Sequence, residues 1–211
     1  MEITARLCCA FGKGIYMKKK KILIAVVCVI AALAVICLVY LWSGNSFVAE
    51  KLSSNPKARA SVIEAQYKLS KKENLLPSLC FALSSIDPQE RTKEETAKMI
   101  AYSELLFQVP DEMESSADTF YAQYLSVLLD AQETEKFQET CPKYYALCED
   151  NGDLMVLAML LQRAAQSENA DFAAWAKQYA ADIVADDPFF PDTEENYKNT
   201  VQLFQDIAEA K

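Results

Sequence analysis

Apolar side chains follow two different patterns along this chain. From Ile22 to Trp42 they form an unbroken run without a charged residue, proline or glycine. As a helix that run is about 31 Å long, close to the thickness of a bilayer's hydrocarbon core. A helix satisfies its own backbone in lipid, so the run predicts a membrane span. Beyond Asn55 the apolar residues recur every third or fourth position. Phe120, Tyr121, Tyr124, Leu125 and Leu128 share one helical face, as do Leu154, Leu157, Ala158 and Leu161. Phe172, Trp175, Ala176, Tyr179, Ala180 and Ile183 repeat the pattern. Strand-like alternation is absent from the sequence.

Start signals divide the periodic region. Asn55-Pro56 and Asp87-Pro88 each put a capping side chain before a proline suited to the first helical turn. Thr92 with Glu95, and Asp192-Thr193 with the glutamates that follow, have capping-box spacing. Asn151-Gly152-Asp153 reads as a stop followed by a new cap. These signals predict about eight helices near 57–72, 76–86, 89–108, 113–131, 134–149, 153–167, 171–186 and 193–209. Short connections make successive helices antiparallel neighbours. The expected fold class is all-α: a single N-terminal transmembrane helix followed by antiparallel helical hairpins.

The flanks of the apolar run orient it. Lys18, Lys19, Lys20 and Lys21 precede it, and Tyr40 and Trp42 close it. Lysines stay cytoplasmic and aromatic rings favour the interface, which delivers the chain after Trp42 to the outside. The run is longer than a secretory signal core, and SGNSFVA after Trp42 is a poor cleavage site, so an uncleaved signal anchor is expected. Bulky Val27 and Ile36 before Cys28 and Cys37 argue against a lipoprotein signal. The expected organisation is a basic cytoplasmic tail (1–21), a transmembrane anchor (22–42) in contact with membrane lipids, a juxtamembrane linker (43–56) and an extracytoplasmic domain (57–211). Met17 followed by KKKKILIAVV reads as a bacterial membrane-protein start. Lys13-Gly14 can be encoded by a purine-rich ribosome-binding sequence, which favours Met17 as initiator. The alternative is a short tail carrying Cys8 and Cys9.

Charge sharpens the division. The whole chain is at −9, yet residues 1–21 carry +5, residues 50–73 carry +3 and residues 74–211 carry −17. So acidic a domain repels phosphate backbones, so nucleic acid is not an expected partner. Its three cysteines outside the apolar run, Cys80, Cys141 and Cys148, are an odd set with no paired spacing and read as core residues.

Candidate chemistry is sparse. The chain has no histidine, which removes Ser-His-Asp and Cys-His arrangements and most catalytic zinc sites. Phosphate-cradling glycine loops and dinucleotide fingerprints are absent as well. Acid clusters at Asp111-Glu112, Glu149-Asp150 and Asp186-Asp187 fall at helix ends, where solvated caps account for them. The expectation is therefore a protein without catalytic residues, metal or cofactor. Two large rings, Phe189 and Phe190, stand between Pro188 and Pro191 in an expected loop. They serve either as a staple on the last hairpin or as a partner contact.

Segments 120–149 and 154–188 overlay with an offset of about 37 residues. Two helices run out in similar phrases, Leu83-Ser84-Ser85-Ile86-Asp87-Pro88 and Ile183-Val184-Ala185-Asp186-Asp187-Pro188. With Lys136-Phe137 after a short turn, these features resemble the tetratricopeptide repeat in a divergent form; Leu125 stands where that family places a small residue. An irregular helical bundle is the competing arrangement. The resemblance implies protein binding on a concave face and no catalytic residues. The expected function is a membrane-anchored scaffold or adaptor for another envelope or secreted protein. A helical ligand-sensing or solute-binding domain is the alternative.

Overall fold

The computed structural model describes residues 24–44, 47–113, 116–151, 154–186 and 194–210. Every regular element among them is helical: α1 (Ile24–Ser43), α2 (Phe47–Lys51), α3 (Pro56–Ser70), α4 (Leu76–Ser84), α5 (Lys93–Leu106), α6 (Ala117–Ala131), α7 (Thr134–Asn151), α8 (Met155–Ala165), α9 (Ala170–Ala185) and α10 (Glu194–Glu209). Single 3-10 turns at Glu73–Leu75 and Pro110–Glu112 lead into α4 and the approach to α6.

Helix α1 has a mean hydropathy of 3.2, and none of its most apolar stretch is buried by the rest of the chain. A core helix of this composition would be covered by its neighbours. This one leaves a full ring of Ile, Val and Leu exposed, as a lipid-facing helix does.

Local chemistry sets the boundaries of the later helices. The Asn55 side chain accepts from the Ala58 amide at 3.0 Å, with Pro56 in the first turn. Thr92 and Glu95 complete a reciprocal capping box, the Thr92 amide donating to Glu95 at 2.7 Å. Asp87-Pro88 does not start a helix. Asp87 instead closes a turn through the Gln89 and Glu90 amides, both at 2.9 Å. The reciprocal capping box five residues later starts the helix instead, so α5 begins at Lys93 rather than near 89. The segment expected as a linker, 43–56, contains α2, whose Ala49 is buried against the first hairpin.

Each helix from α3 to α10 lies against its sequence neighbour, and even-numbered helices also meet one another: α4 with α6, α6 with α8 and α8 with α10. The C-terminal ends of α6 and α8 border the same furrow as the first turns of α7 and α9, so α6 and α8 run parallel. The core is continuous through α6. Phe120 and Val127 join a cluster built from α2 to α5, while Leu125 and Leu128 join the cluster of α7 to α10. Aromatics tighten the second cluster. Phe172, Trp175 and Tyr179 stack along α9, and Phe137 meets Phe172 edge-on at 5.4 Å. Cys80, Cys141 and Cys148 are buried, as their apolar surroundings favour.

Candidate interaction surface

Helix α8 carries an apolar stripe on each side. Leu157, Ala158, Leu161 and Ala164 enter the core, whereas Met155, Val156 and Met159 face outward, Met159 at 56% exposure. Met155, Met159 and Arg163 lie four residues apart, one above another on the outer face. Arg163 crosses to α6, its guanidinium donating to Ser126 at 3.1 Å and Asp130 at 2.7 Å. Because α6 and α8 run parallel, the outer methionines lie alongside the earlier turns of α6. The result is a surface shared by even-numbered helices, with a flexible, polarisable apolar centre and a polar end.

At that polar end Asp130 stands between two cations. Arg91 lies 3.9 Å from its other oxygen, with a side chain only 6% exposed. Arg91 also donates to the carbonyls of Ser84 (3.2 Å) and Ile86 (2.9 Å), closing the end of α4. Two furrows open beside this group. One, of about 580 Å³, is lined by Leu129, Gln132, Arg163 and Asn169 among others. The other, of about 530 Å³, includes Arg91, Lys93, Ile100 and Asp130.

Two further acids bind helices together. Glu64 on α3 accepts from Lys68 (2.6 Å), Lys98 (3.2 Å) and the Tyr102 hydroxyl (3.1 Å). Burial pushes the Glu64 carboxyl up, but the three donors outweigh it and hold its pKa below the ordinary value. Burial, reinforced by Glu64, pushes the Tyr102 phenol up to about 12. Glu104 repeats the motif, accepting from Tyr124 (3.1 Å) and Lys136 (2.6 Å). These residues fasten alternate helices together, α3 to α5 and α5 to α7, and Glu104 also holds α6.

The residues singled out from sequence fall in three places. Tyr40 and Trp42 end α1: the Tyr40 hydroxyl accepts from the Val48 amide at 3.0 Å, and Lys72 stands 5.8 Å from the Trp42 ring centroid. Lys18 to Lys21 lie outside the described residues, as do Phe189 and Phe190. The outward methionines of α8 escaped sequence reasoning, since helical spacing alone assigns α8 one apolar face. A second apolar stripe at 155, 156 and 159 was the available signal.

Comparison with protein-family models, curated proteins and solved structures finds no match to this chain.

Proposed function

We propose that this chain is a single-pass membrane protein whose helical domain, held outside the cytoplasmic membrane, is a non-catalytic scaffold for another protein of the envelope or a secreted protein. The observation that carries the reading is the outward cluster of Met155, Val156 and Met159 on a helix whose opposite side is fully packed. Exposed methionines adapt to varied apolar partners, and a contiguous apolar patch with a polar border has the make-up of a protein-binding face. The contacts between alternate helices support a divergent tetratricopeptide-like array, in which parallel first helices line the binding face. The furrows flanking Asp130 open to solvent, whereas a solute-binding domain encloses its ligand.

A photo-crosslinking residue at Met159, compared in cells with one at Gln178 on the exposed side of α9, tests this. The expected result is a discrete protein adduct from 159 that is lost on Met155→Asp and is absent from 178. Identical adduct patterns from both positions would remove the binding face.

A further inference from the structure

The positive charge that follows α1 is folded back onto the end of that helix. Lys72, in the turn between α3 and α4, donates from Nζ to the Ser43 carbonyl at 2.8 Å. Its neighbour Lys71 caps α3 in the left-handed conformation (φ 55°), its amide bound to the Tyr67 carbonyl at 2.7 Å. From the other direction, the Val48 amide bound to the Tyr40 hydroxyl holds α2 beside the same helix end. Two segments more than twenty residues apart in sequence are thus fixed at the level where α1 stops. Trp42, Phe47 and Leu69 are exposed there at 64%, 61% and 44%. Lys51 and Lys68 accompany Lys71 and Lys72, against the acids Glu50, Glu64 and Glu73 of the same stretch, Lys68 being paired with Glu64 at 2.6 Å. Exposed rings and leucine among lysines with long apolar stems compose a surface suited to the boundary between headgroups and acyl chains.

We propose that α2 and the α3–α4 turn form a foot resting on anionic phospholipid headgroups of the leaflet from which the end of α1 emerges. The inference rests on α1 being a membrane span, and continuity with that span identifies the occupant. A surface held at the end of a lipid-embedded helix meets headgroups before any other partner. Charge agrees in sign: the foot's Lys51, Lys68, Lys71 and Lys72 stand against Glu50, Glu64 and Glu73, a net +1, while residues 74–211, at −17, are repelled by the same surface. Attraction at the foot and repulsion of the body stand the helical array away from the membrane and leave the outer face of α8 accessible. Each lysine at such a surface shifts the bound population by about fivefold.

The test uses the full chain in vesicles of phosphatidylcholine alone and of phosphatidylcholine with phosphatidylglycerol, following amide hydrogen exchange. Amides of 47–51 and 69–75 are expected to exchange several-fold more slowly in the anionic vesicles, and high salt is expected to erase the difference. Lys51→Glu with Lys71→Glu should remove the protection while exchange in α5 to α9 stays unchanged. Lys51→Gln with Lys71→Gln should remove it in part, covering the case in which the charge reversal disturbs folding. Equal exchange in the two vesicle types, with the protein floating alongside both, would overturn the foot and leave the span intact. Failure to float with either vesicle would overturn the span and the foot together.

Discussion

Asp130, at the last turn of α6, is bound at 2.7 Å by Arg163 of α8 and approached at 3.9 Å by Arg91 from the α4–α5 turn. One carboxylate therefore sits between cations from two other hairpins. The two arginines differ in surroundings: Arg163 is half exposed, and Arg91 is almost fully covered.

That difference sets their separate weights. The Asp130–Arg163 pair is open to water, and a double-mutant cycle with Asp130→Asn and Arg163→Met should give a coupling below about 1 kcal/mol. Arg91→Met is the costly change. It leaves the Ser84 and Ile86 carbonyls without their donor in a covered site, and a loss of about 2–3 kcal/mol is expected. Denaturant unfolding of the four variants, the Asp130→Asn/Arg163→Met double included, beside the parent chain measures both.

Acid should act through Glu64. Its folded-state pKa lies below the ordinary value of 4.5, so the ionised form favours the fold. That contribution is complete above the unfolded-state pKa and is lost as pH falls through the lower folded value. Unfolding free energy should therefore drop on acidification below about pH 4.5, and Glu64→Gln should lower stability at neutral pH while flattening this acid limb. A parallel decline in both proteins would show that other carboxylates dominate.

Much of the helical pattern was legible because local chemistry and burial agree. The Thr92–Glu95 box, the Asn55 cap and the Phe172–Trp175–Tyr179 face each form as the residues imply. Asp87-Pro88 misled because two valid start signals compete within six residues: the Asp87 side chain closes a turn on the Gln89 amide, and the reciprocal Thr92–Glu95 box starts the helix. Helix α2 was hidden because five residues carry too little periodicity to stand out; its order comes from Ala49 packing and the Tyr40 hydroxyl. The outward methionines of α8 depend on which neighbours α8 acquires, a tertiary fact that spacing does not contain.

Two neighbouring apolar residues of α8 should respond in opposite ways. Leu161 is fully buried and Met159 is 56% exposed. Leu161→Ala opens a core cavity and should cost about 3 kcal/mol, whereas Met159→Ala should change stability by less than about 0.5 kcal/mol. Thermal unfolding separates them. Equal losses would mean that Met159 is packed, which would withdraw it from any binding face.

Gln132 ends α6 in the left-handed conformation, φ 59°, a backbone state that glycine enters without strain. Its amide still closes the helix onto Leu128 and Leu129, so the geometry is that of a C-terminal cap held by a residue poorly suited to it. Replacing its side chain removes the clash between Cβ and the backbone, and the cap hydrogen bonds come from the main chain and survive. Glycine also enlarges the freedom of the unfolded chain, which offsets part of the gain. The net expectation for Gln132→Gly is stabilisation of about 0.5–1 kcal/mol, while Gln132→Ala should be close to neutral because it keeps the Cβ. Denaturant midpoints for the pair test the sign. A destabilised glycine variant would mean that the Gln132 side chain, which lines both furrows beside Asp130, holds that end of the array together more strongly than its backbone strain opposes it.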